Sequence, residues 1–435
     1  MANMDLLREG VSTTINRHRS SAIENFNLLG IPTKNTERYK YTDLTGAFAQ
    51  ELEKYFAPRH EKIEPSSLFS CNIPSLDTHK VYVLNGFFYG ANKLIEEDGA
   101  VFGSLATASL KYPELFDKYY NASANNQTEG ITALNTAFAQ DGIFIHVPKA
   151  AVLSKPIQVI NILLGEEDLF AQTRNLFVFE ERSSAKVILC DHSLSPKRFL
   201  CNSVTEVYAA PKTAVELVRM QNEHNLSAHV TSDYIRQEEN SVFTSNTITL
   251  HGGLIRNNIN VVLNGKRCEN HTYGLFLSDK EQHVDNHTHI DHAAPSCVSN
   301  ELFKGILDDK STGAFNGSIM VRKNAQKTQA YQTSNNLLLT NKSRVYAKPQ
   351  LEIYADDVKC SHGATTGQLN AEALFYMQAR GIGKREAQQL QLYGFAYDVI
   401  QKVGVTALRE NVAELVRKRL KGELPGCEGC SINHG

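Results

Sequence analysis

The chain contains 435 residues, of which 42% are hydrophobic and 21% charged, and its formal net charge at pH 7 is −2. This length allows two or three domains, or one elongated body with end pieces, and the near-neutral charge argues against a general nucleic-acid-binding surface. No apolar run approaches the roughly 20 residues of a membrane span. The first residues, Met1–Asp5, lack the basic and then apolar pattern of a secretion signal, so we expect a cytoplasmic protein.

The eight cysteines do not have the spacing of a disulfide framework. Most are scattered along the chain, which is typical of reduced thiols. Only Cys427 and Cys430 form a Cys-x-x-Cys pair, within residues 423–435, which we expect to be a flexible tail. The pair could be a metal or redox clip, or two thiols on a frayed end, and the lack of a second pair in the sequence favours the frayed end.

The N-terminal third combines helical and β patterns. Residues 5–29 carry apolar side chains at helical intervals. Two short β runs flank Asn85–Gly86, which predicts a hairpin over residues 80–90. The stretch Leu105–Tyr119 is compatible with a helical connection. We therefore predict an N-terminal helical or mixed domain over residues 1–140.

From Ile143 to Val358 the pattern changes to short apolar β runs, separated by loops that carry Gly, Asn, Ser and Lys. No helix-length amphipathic stretch interrupts them, which argues against a doubly wound α/β fold and leaves a sandwich, a propeller or a β-helix. No repeat of about 40 residues supports a propeller, and about 215 residues is long for one sandwich. A solenoid of stacked short strands fits this length. The segments Lys304–Gly305 and Thr312–Gly317 suit tight corners between its coils.

A polar segment, Glu281–His292, lies within this β section. Strand alternation places five side chains on one face; these are His283, Asp285, His287, His289 and Asp291. Such a carboxylate–imidazole row could hold iron or zinc, so His283, Asp285, His287, His289 and His292 form a possible secondary polar or metal cluster. The alternative is a solvated ladder on the outside of a β-solenoid, where polar side chains stack between coils. His292 and Cys297 could also face a partner subunit.

A strand pattern runs from Leu351 to Val358 and is followed by Cys360 and His362. Residues two apart on a strand share a face, so a backbone that stays extended would hold the thiol and the imidazole side by side, about 6–7 Å apart along the chain. Both groups can bind a soft or borderline metal. The alternative is a half-buried cysteine beside a surface histidine, because two ligands alone do not make a metal site.

Helical patterns return near the C-terminus, over Asn370–Arg380, Gly383–Lys402 and Thr406–Lys421. These helices could cover the open end of a solenoid, where bare strand edges invite aggregation, or they could form a docking surface. The sequence has no Gly-x-x-x-x-Gly-Lys-Ser/Thr loop, so we do not expect it to hydrolyse ATP. A β-solenoid enzyme that cleaves polysaccharide with Asp285 and Asp291 is a minor alternative, because nothing in the sequence fixes the distance between two catalytic carboxylates.

The C-terminal third resembles a known family over a long contiguous stretch. Ala355–Gly367, with Leu374-Phe-Tyr and Ala379-Arg-Gly-Ile, closely resembles the SufB/SufD family, the scaffold proteins of the Suf iron–sulfur cluster assembly machinery. Gly363 is typical of the SufD branch, since SufB-type sequences tend to carry Glu there. The resemblance continues upstream through Lys304-Gly-Ile-Leu, Ala325–Gln332, Asn335-Asn-Leu-Leu-Leu and Lys348–Ile353, and extends in outline over the rest of the chain.

Near the start of the chain, Asn35–Leu44 resembles a motif of the SufD branch, with Tyr39 where the motif has Trp. The resemblance implies a mainly β protein with a right-handed parallel β-helix core over residues 141–366, flanked by N-terminal and C-terminal α-helical regions. It also implies that the C-terminal helical region, residues 367–422, docks the ATPase SufC. The candidate docking residues are Leu374, Phe375, Tyr376, Arg380, Gly394 and Phe395.

The resemblance further implies an assembly subunit, not an enzyme, that pairs edge to edge with a SufB-like homologue and could form a homodimer in isolation. Cys360 and His362 are then candidate ligands of iron, or of a transient iron–sulfur cluster shared with SufB. Their role would lie in iron acquisition or in cluster formation at the subunit interface. The alternative is a purely structural subunit that docks SufC while SufB carries all the cluster chemistry.

Overall fold

A computed structural model describes residues 11–48, 73, 75–90, 94–124 and 127–424. Within these ranges no helix has both the length and the apolar composition needed to cross a membrane. The Cys427–Cys430 pair falls outside the described residues, as does all but the start of the predicted tail.

Three helical elements open the described chain. Helix α1 spans Thr13–Leu29 and is capped by the Ser12 hydroxyl, which accepts a hydrogen bond from the amide three residues on. The helix ends at Gly30, whose φ of 63° favours a residue without a side chain. A 3₁₀ helix, Glu37–Tyr39, and helix α2, Thr45–Phe48, follow. The predicted first helix is confirmed from residue 13 onward, and its predicted start lies outside the described residues.

The predicted hairpin is confirmed. Strands β1, His79–Leu84, and β2, Phe87–Phe88, pair antiparallel. The turn residues Asn85 and Gly86 have φ of 51° and 89°, the left-handed values that a two-residue hairpin turn needs. The elements that follow are β3 Leu94–Glu97, β4 Ala100–Ser104, α3 Leu105–Lys111, α4 Pro113–Tyr119 and α5 Gly130–Phe138. The predicted helical connection is therefore present as two short helices, the second beginning at a proline that suits a first helical position.

The main body is a parallel β-solenoid built from two sheets of ten strands. Its remaining strands are β5 Ile143–Val147, β6 Ile157–Leu163, β7 Leu169–Phe179, β8 Ser184–Ser193, β9 Phe199–Ala209, β10 Ala214–Asn222, β11 Ala228–Gln237, β12 Val242–His251, β13 Leu254–Leu263, β14 Glu269–Ser278, β15 His283–His292, β16 Val298–Leu307, β17 Thr312–Val321, β18 Thr328–Leu338, β19 Arg344–Ile353 and β20 Val358–Gly367. Even-numbered strands from β6 to β20 follow β2 and β1 in sheet one, and odd-numbered strands from β5 to β19 follow β3 and β4 in sheet two.

Each coil therefore adds one strand to each sheet, in parallel with the strand one coil earlier. His283 on β15, for example, pairs with Leu254 and with Thr312, each 29 positions away along the chain. One apolar core fills the space between the sheets and extends from Val81 on β1 to Cys360 on β20. Many of these strands are buried on both faces, as is typical of parallel sheets, and polar as well as apolar side chains are among the buried residues. The mainly β solenoid is thus confirmed, and the predicted division at residue 140 stays a prediction.

Two details of the β section differ from expectation. The predicted strand from Leu351 to Val358 is broken, because β19 ends at Ile353 and β20 begins at Val358. The expected corners at Lys304–Gly305 and Thr312–Gly317 are also wrong, since both lie inside strands. A Cβ atom on Gly305 would come within 2.3 Å of the Phe276 ring. Glycine is present there because an aromatic side chain of the previous coil occupies the space.

The C-terminal helices are α6 Ala371–Ala379, α7 Lys384–Ile400 and α8 Thr406–Lys421. Helices α7 and α8 pack on the outer face of sheet one, where residues such as Val399 and Val412 join Leu275 and Ile306 in an apolar cluster. Two ion pairs fix this arrangement: Lys304 with Asp398, and Arg419 with Asp279 at 2.6 Å. The expectation that these helices cover the end of the solenoid is wrong, because they lie along its flank.

Candidate functional site

The last coil leaves one end of the solenoid open. Strand β20 is the terminal strand of sheet one, paired only with β18, and β19 is the terminal strand of sheet two, paired only with β17, among the strands that the structure describes. Each therefore presents a row of backbone groups to solvent or to another chain. Ile353, the last residue of β19, and Tyr354, the first residue after it, are 41% and 62% exposed. This end of the described solenoid therefore combines two unpaired strand edges with exposed apolar side chains.

Cys360 and His362 lie on β20 at this open end. The strand is continuous over Val358–Gly367, so the extended backbone that the sequence argument required is present, and the two side chains share a face. That face points into the solenoid, since Cys360 packs against the apolar core while its register partner Ala330 belongs to that core. His362, two positions on, is exposed at the mouth.

The chemistry available at this pair is that of a partial metal site. Partial burial raises the pKa of the Cys360 thiol, an effect that a backbone hydrogen bond with Ala330 partly offsets. A metal bound there at neutral pH would therefore displace a proton. Within the described residues, no group of three or more His, Cys, Asp or Glu is placed to hold a metal ion. One thiol and one imidazole fit iron or a cluster only if further donors come from elsewhere.

The polar row on β15 is covered by an N-terminal segment, residues 36–45. Arg38 Nε donates to His287 Nε2 at 3.0 Å, and the Thr42 hydroxyl lies 2.9 Å from His283 Nε2 and donates to the Asp285 carboxylate. Asp285 also pairs with Arg256, whose guanidinium lies 4.0 Å from the centroid of the Tyr39 ring. Asp285 and His287 are 2% and 4% exposed, so the idea of a solvated ladder is wrong.

Burial controls the charge of the histidines in this row. It lowers the pKa of His287 well below the ordinary value, with further lowering by Arg256 and Arg38. It also lowers the pKa values of His283 and His289. Asp291, the last residue of the row, pairs with Arg322 at 2.5 Å. In this structure the row connects the N-terminal segment to the solenoid through neutral imidazoles; its assignment as a metal cluster stays a prediction.

His292 and Cys297 are enclosed by the solenoid. His292 lies on the opposite face of β15 and its Nε2 is 2.8 Å from the Ser299 hydroxyl in the interior. Cys297 is fully buried; its thiol donates to the Gly265 carbonyl, which the thiol of Cys268 also contacts. The expectation that either residue faces a partner subunit is wrong, because neither reaches the surface.

The candidate docking residues divide into two groups. Phe375 and Tyr376 on α6 are 74% and 59% exposed, and Arg380 lies over the Tyr376 ring at 5.1 Å. Leu374 is half-buried and Gly394 is exposed. Phe395 instead faces the solenoid, where the Lys304 ammonium lies 4.3 Å from the centroid of its ring. Helix α6 therefore offers an exposed aromatic surface, whereas Phe395 contributes to packing.

Sequence reasoning missed two buried polar residues behind the open end, Glu301 on β16 and Gln332 on β18. Burial raises the pKa of Glu301 to about 7, and the Gln332 amide donates to its carboxyl group. The available signal was a charged residue within the predicted β section, with a glutamine 31 positions later. It could not be used without the register that stacks the two residues.

Two family descriptions match consecutive parts of the chain. Residues 1–159 match the SufBD protein N-terminal region, and residues 162–395 match the SUF system FeS cluster assembly, SufBD core domain. The chain is 30% identical to the iron–sulfur cluster assembly protein SufD of Escherichia coli, over 90% of each chain. It is 27% identical to SufD of Bacillus subtilis over 75% of each chain, and 28% identical to the chloroplastic protein ABCI7 of Arabidopsis thaliana over 95% of this chain and 87% of that protein.

Proposed function

The chain belongs to the SufBD family of iron–sulfur cluster assembly proteins, and from this premise we propose that it is the SufD-like subunit of a SufB–SufC–SufD assembly. In this proposal residues 1–140 form the N-terminal domain, residues 141–366 the core, residues 367–422 the SufC-docking region and residues 423–435 a tail. The subunit assists iron acquisition or cluster formation and does not hydrolyse ATP itself.

One observation carries the proposal: the soft donor Cys360 and the borderline donor His362 share a face of the terminal strand of the solenoid. A strand edge can pair with an edge of a second chain through backbone hydrogen bonds. A SufB-like subunit joined there would bring further donors within reach of these two. Iron or a nascent cluster is the cargo of such a shared site, and Cys360 and His362 supply a thiolate and a neutral imidazole nitrogen to it.

The flank position of the C-terminal helices supports a separate site for the ATPase. Helices α7 and α8 are fastened to sheet one by an apolar cluster and by ion pairs, while the aromatic side chains of Phe375 and Tyr376 on α6 are left exposed. Solvent-exposed aromatic groups on a rigid scaffold are typical anchors of protein interfaces. We assign this surface to SufC. Closure of two SufC subunits on ATP binding would then move the docked helices and strain the contact between the solenoids.

Co-expression tests this proposal. The chain should co-purify with a SufB-like homologue and SufC as one assembly that contains iron and acid-labile sulfide. Single Cys360→Ala and His362→Ala variants should still assemble, because neither side chain has a described ion pair or side-chain hydrogen bond whose loss would disturb the fold. Their iron content separates the two functions: a loss supports a ligand role, and normal loading with intact assembly supports the purely structural subunit.

A further inference from the structure

A polar column lies behind His362 inside the solenoid. Glu301 on β16 is the register partner of Gln332 on β18, and Gln332 is the register partner of His362 on β20. Neighbouring strands lie about 4.8 Å apart. All three side chains point inward, because they are in phase with core residues such as Phe303 and Cys360 on their own strands. The column therefore runs from the apolar interior to the open end.

The amide of Gln332 has a fixed orientation. Its Nε2 atom donates to Oε2 of Glu301, and both residues are almost completely buried, at 1% and 3% exposure. The other amide atom, Oε1, has no hydrogen-bond partner among the described residues. A buried carbonyl oxygen without a donor is costly, and the side chain that follows it in the column is the imidazole of His362.

The opposite sheet leaves room for this glutamine. Gly317 on β17 faces Gln332 across the interior, and a Cβ atom at position 317 would lie 2.3 Å from Nε2 and 2.6 Å from Cδ of Gln332. Any other residue at position 317 would push the amide away from Glu301. The glutamine is therefore held between a buried carboxyl group on one side and a glycine on the other, which is a built arrangement and not a chance polar contact.

We propose that Glu301 and Gln332 are positioning residues for His362: the exposed ring of His362, which makes no hydrogen bond to Gln332 in the structure, turns so that the unpartnered Oε1 atom of Gln332 accepts a hydrogen bond from one ring N–H. Glu301 holds the glutamine in the orientation that makes this possible. The inference rests on the proposed function and deepens it. A histidine that donates one N–H to a fixed acceptor has a single neutral tautomer, with its other nitrogen free to bind a metal. Here the free nitrogen would face the open end, where a partner chain adds its donors.

The tautomer of His362 tests this directly, without iron or partner proteins. The full chain is labelled with ¹⁵N-histidine and studied at about pH 8, above the ordinary histidine pKa of about 6.5, and the His362 signals are identified by their loss in His362→Ala. Long-range ¹H–¹⁵N spectra should show one tautomer in the unmodified chain. Gln332→Met keeps the size of the side chain but removes the acceptor, and should give a mixture of both tautomers.

Matched variants separate positioning from folding. Thr333→Val, on the same strand but on the opposite face, should leave the His362 tautomer unchanged. Glu301→Gln keeps the volume of the side chain and removes the carboxylate, and should shift the tautomer ratio less than Gln332→Met. A His362 tautomer that stays the same in a folded Gln332→Met chain would overturn the inference, and so would a mixture in the unmodified chain.

Iron binding in the co-expressed assembly is the second readout. Loss of an outer hydrogen bond to a metal-binding histidine typically lowers metal affinity 10–100-fold, and we expect Gln332→Met to do this while Thr333→Val does not. A tautomer shift together with unchanged iron binding would support the positioning of His362 but contradict its proposed role as a ligand. The two failures can therefore be told apart.

Discussion

Arg38 Nε donates to His287 Nε2 over 3.0 Å and so joins two residues that are 249 positions apart in the chain. This bond fastens the N-terminal segment to the outer face of sheet two. The acceptor nitrogen of His287 carries no proton in this bond, which agrees with the lowering of its pKa by burial and by Arg256 and Arg38. The docking of the segment is therefore linked to pH.

Acid should weaken this docking. A histidine whose pKa is lowered in the folded chain binds fewer protons there than when unfolded, so its contribution to stability is complete above the unfolded pKa of about 6.5 and is lost as the pH falls below that value. We expect the urea midpoint of the chain to fall between about pH 7.5 and about pH 5. His287→Gln keeps an acceptor for Arg38 but cannot titrate, and should show a shallower pH dependence. If the urea midpoint changes with pH equally steeply in His287→Gln and in the unmodified chain, then His287 does not link the docking of the segment to pH.

The bond from Thr42 to Asp285 should contribute measurably to stability. Thr42→Val keeps the shape of the side chain but removes one of the two donors to Oδ2 of the buried Asp285 carboxylate, the other being Arg256. Because hydrogen bonds to charged groups are among the stronger ones, we expect a loss of about 1–3 kcal/mol. Asp285 is 2% exposed, whereas Asp43, which binds Thr45, is exposed. Thr45→Val is therefore the matched control, and should change the free energy of unfolding by about 0.5 kcal/mol or less. Urea denaturation measures both; similar small effects would mean that the segment is not held through Asp285.

Glycines inside the strands should differ sharply in their tolerance of a side chain. Gly305→Ala places a Cβ atom 2.3 Å from Cζ of the buried Phe276 ring, whereas Gly363→Ala meets nothing within 4 Å. We expect the first variant to cost about 1–3 kcal/mol through overpacking and the second to stay within about 0.5 kcal/mol. Thermal unfolding of the two purified variants compares them. A stable Gly305→Ala would show that Phe276 does not occupy the position described.

Exposed aromatic groups on α6 should matter for binding and not for folding. Phe375→Ala and Tyr376→Ala should change the free energy of unfolding by about 0.5 kcal/mol or less, yet each should weaken binding of SufC at least about tenfold, as expected for interface anchors. Leu28→Ala, also on an exposed side chain at 85% but on α1, serves as the control and should leave SufC binding unchanged. Binding measured by calorimetry would contradict the docking proposal if all three variants matched the unmodified chain.

Local sequence patterns predicted the strands but not what packs against them. Strand alternation correctly placed His283, Asp285 and His287 on one face, because side-chain direction depends only on the extended backbone. It could not show that this face is covered, since Arg38 and Thr42 come from a segment more than 240 positions earlier. Long-range contacts of this kind leave no periodic trace in either segment.

The helices and the open end illustrate the same limit. An amphipathic pattern shows that a helix buries one face, but the partner of that face was wrongly expected to be the end of the solenoid. Its actual partner is a column of outward apolar residues on sheet one, among them Leu275 and Ile306, which alternation alone cannot distinguish from inward ones. Likewise, Gln332 stacks behind His362 only because the coil between them has the length that pairs these two positions on neighbouring strands. That length is known from the strand register in the structure and not from the sequence pattern.

The most direct test of the central claim is the iron content of the co-expressed assembly with single substitutions at the open end. If Cys360 and His362 supply donors to a shared site, Cys360→Ala and His362→Ala should each lower bound iron and acid-labile sulfide strongly while SufB and SufC still co-purify, and Ser361→Ala, on the opposite face of the same strand, should leave both at the level of the unmodified assembly. Full iron and sulfide in both variants, with the assembly intact, would contradict the claim.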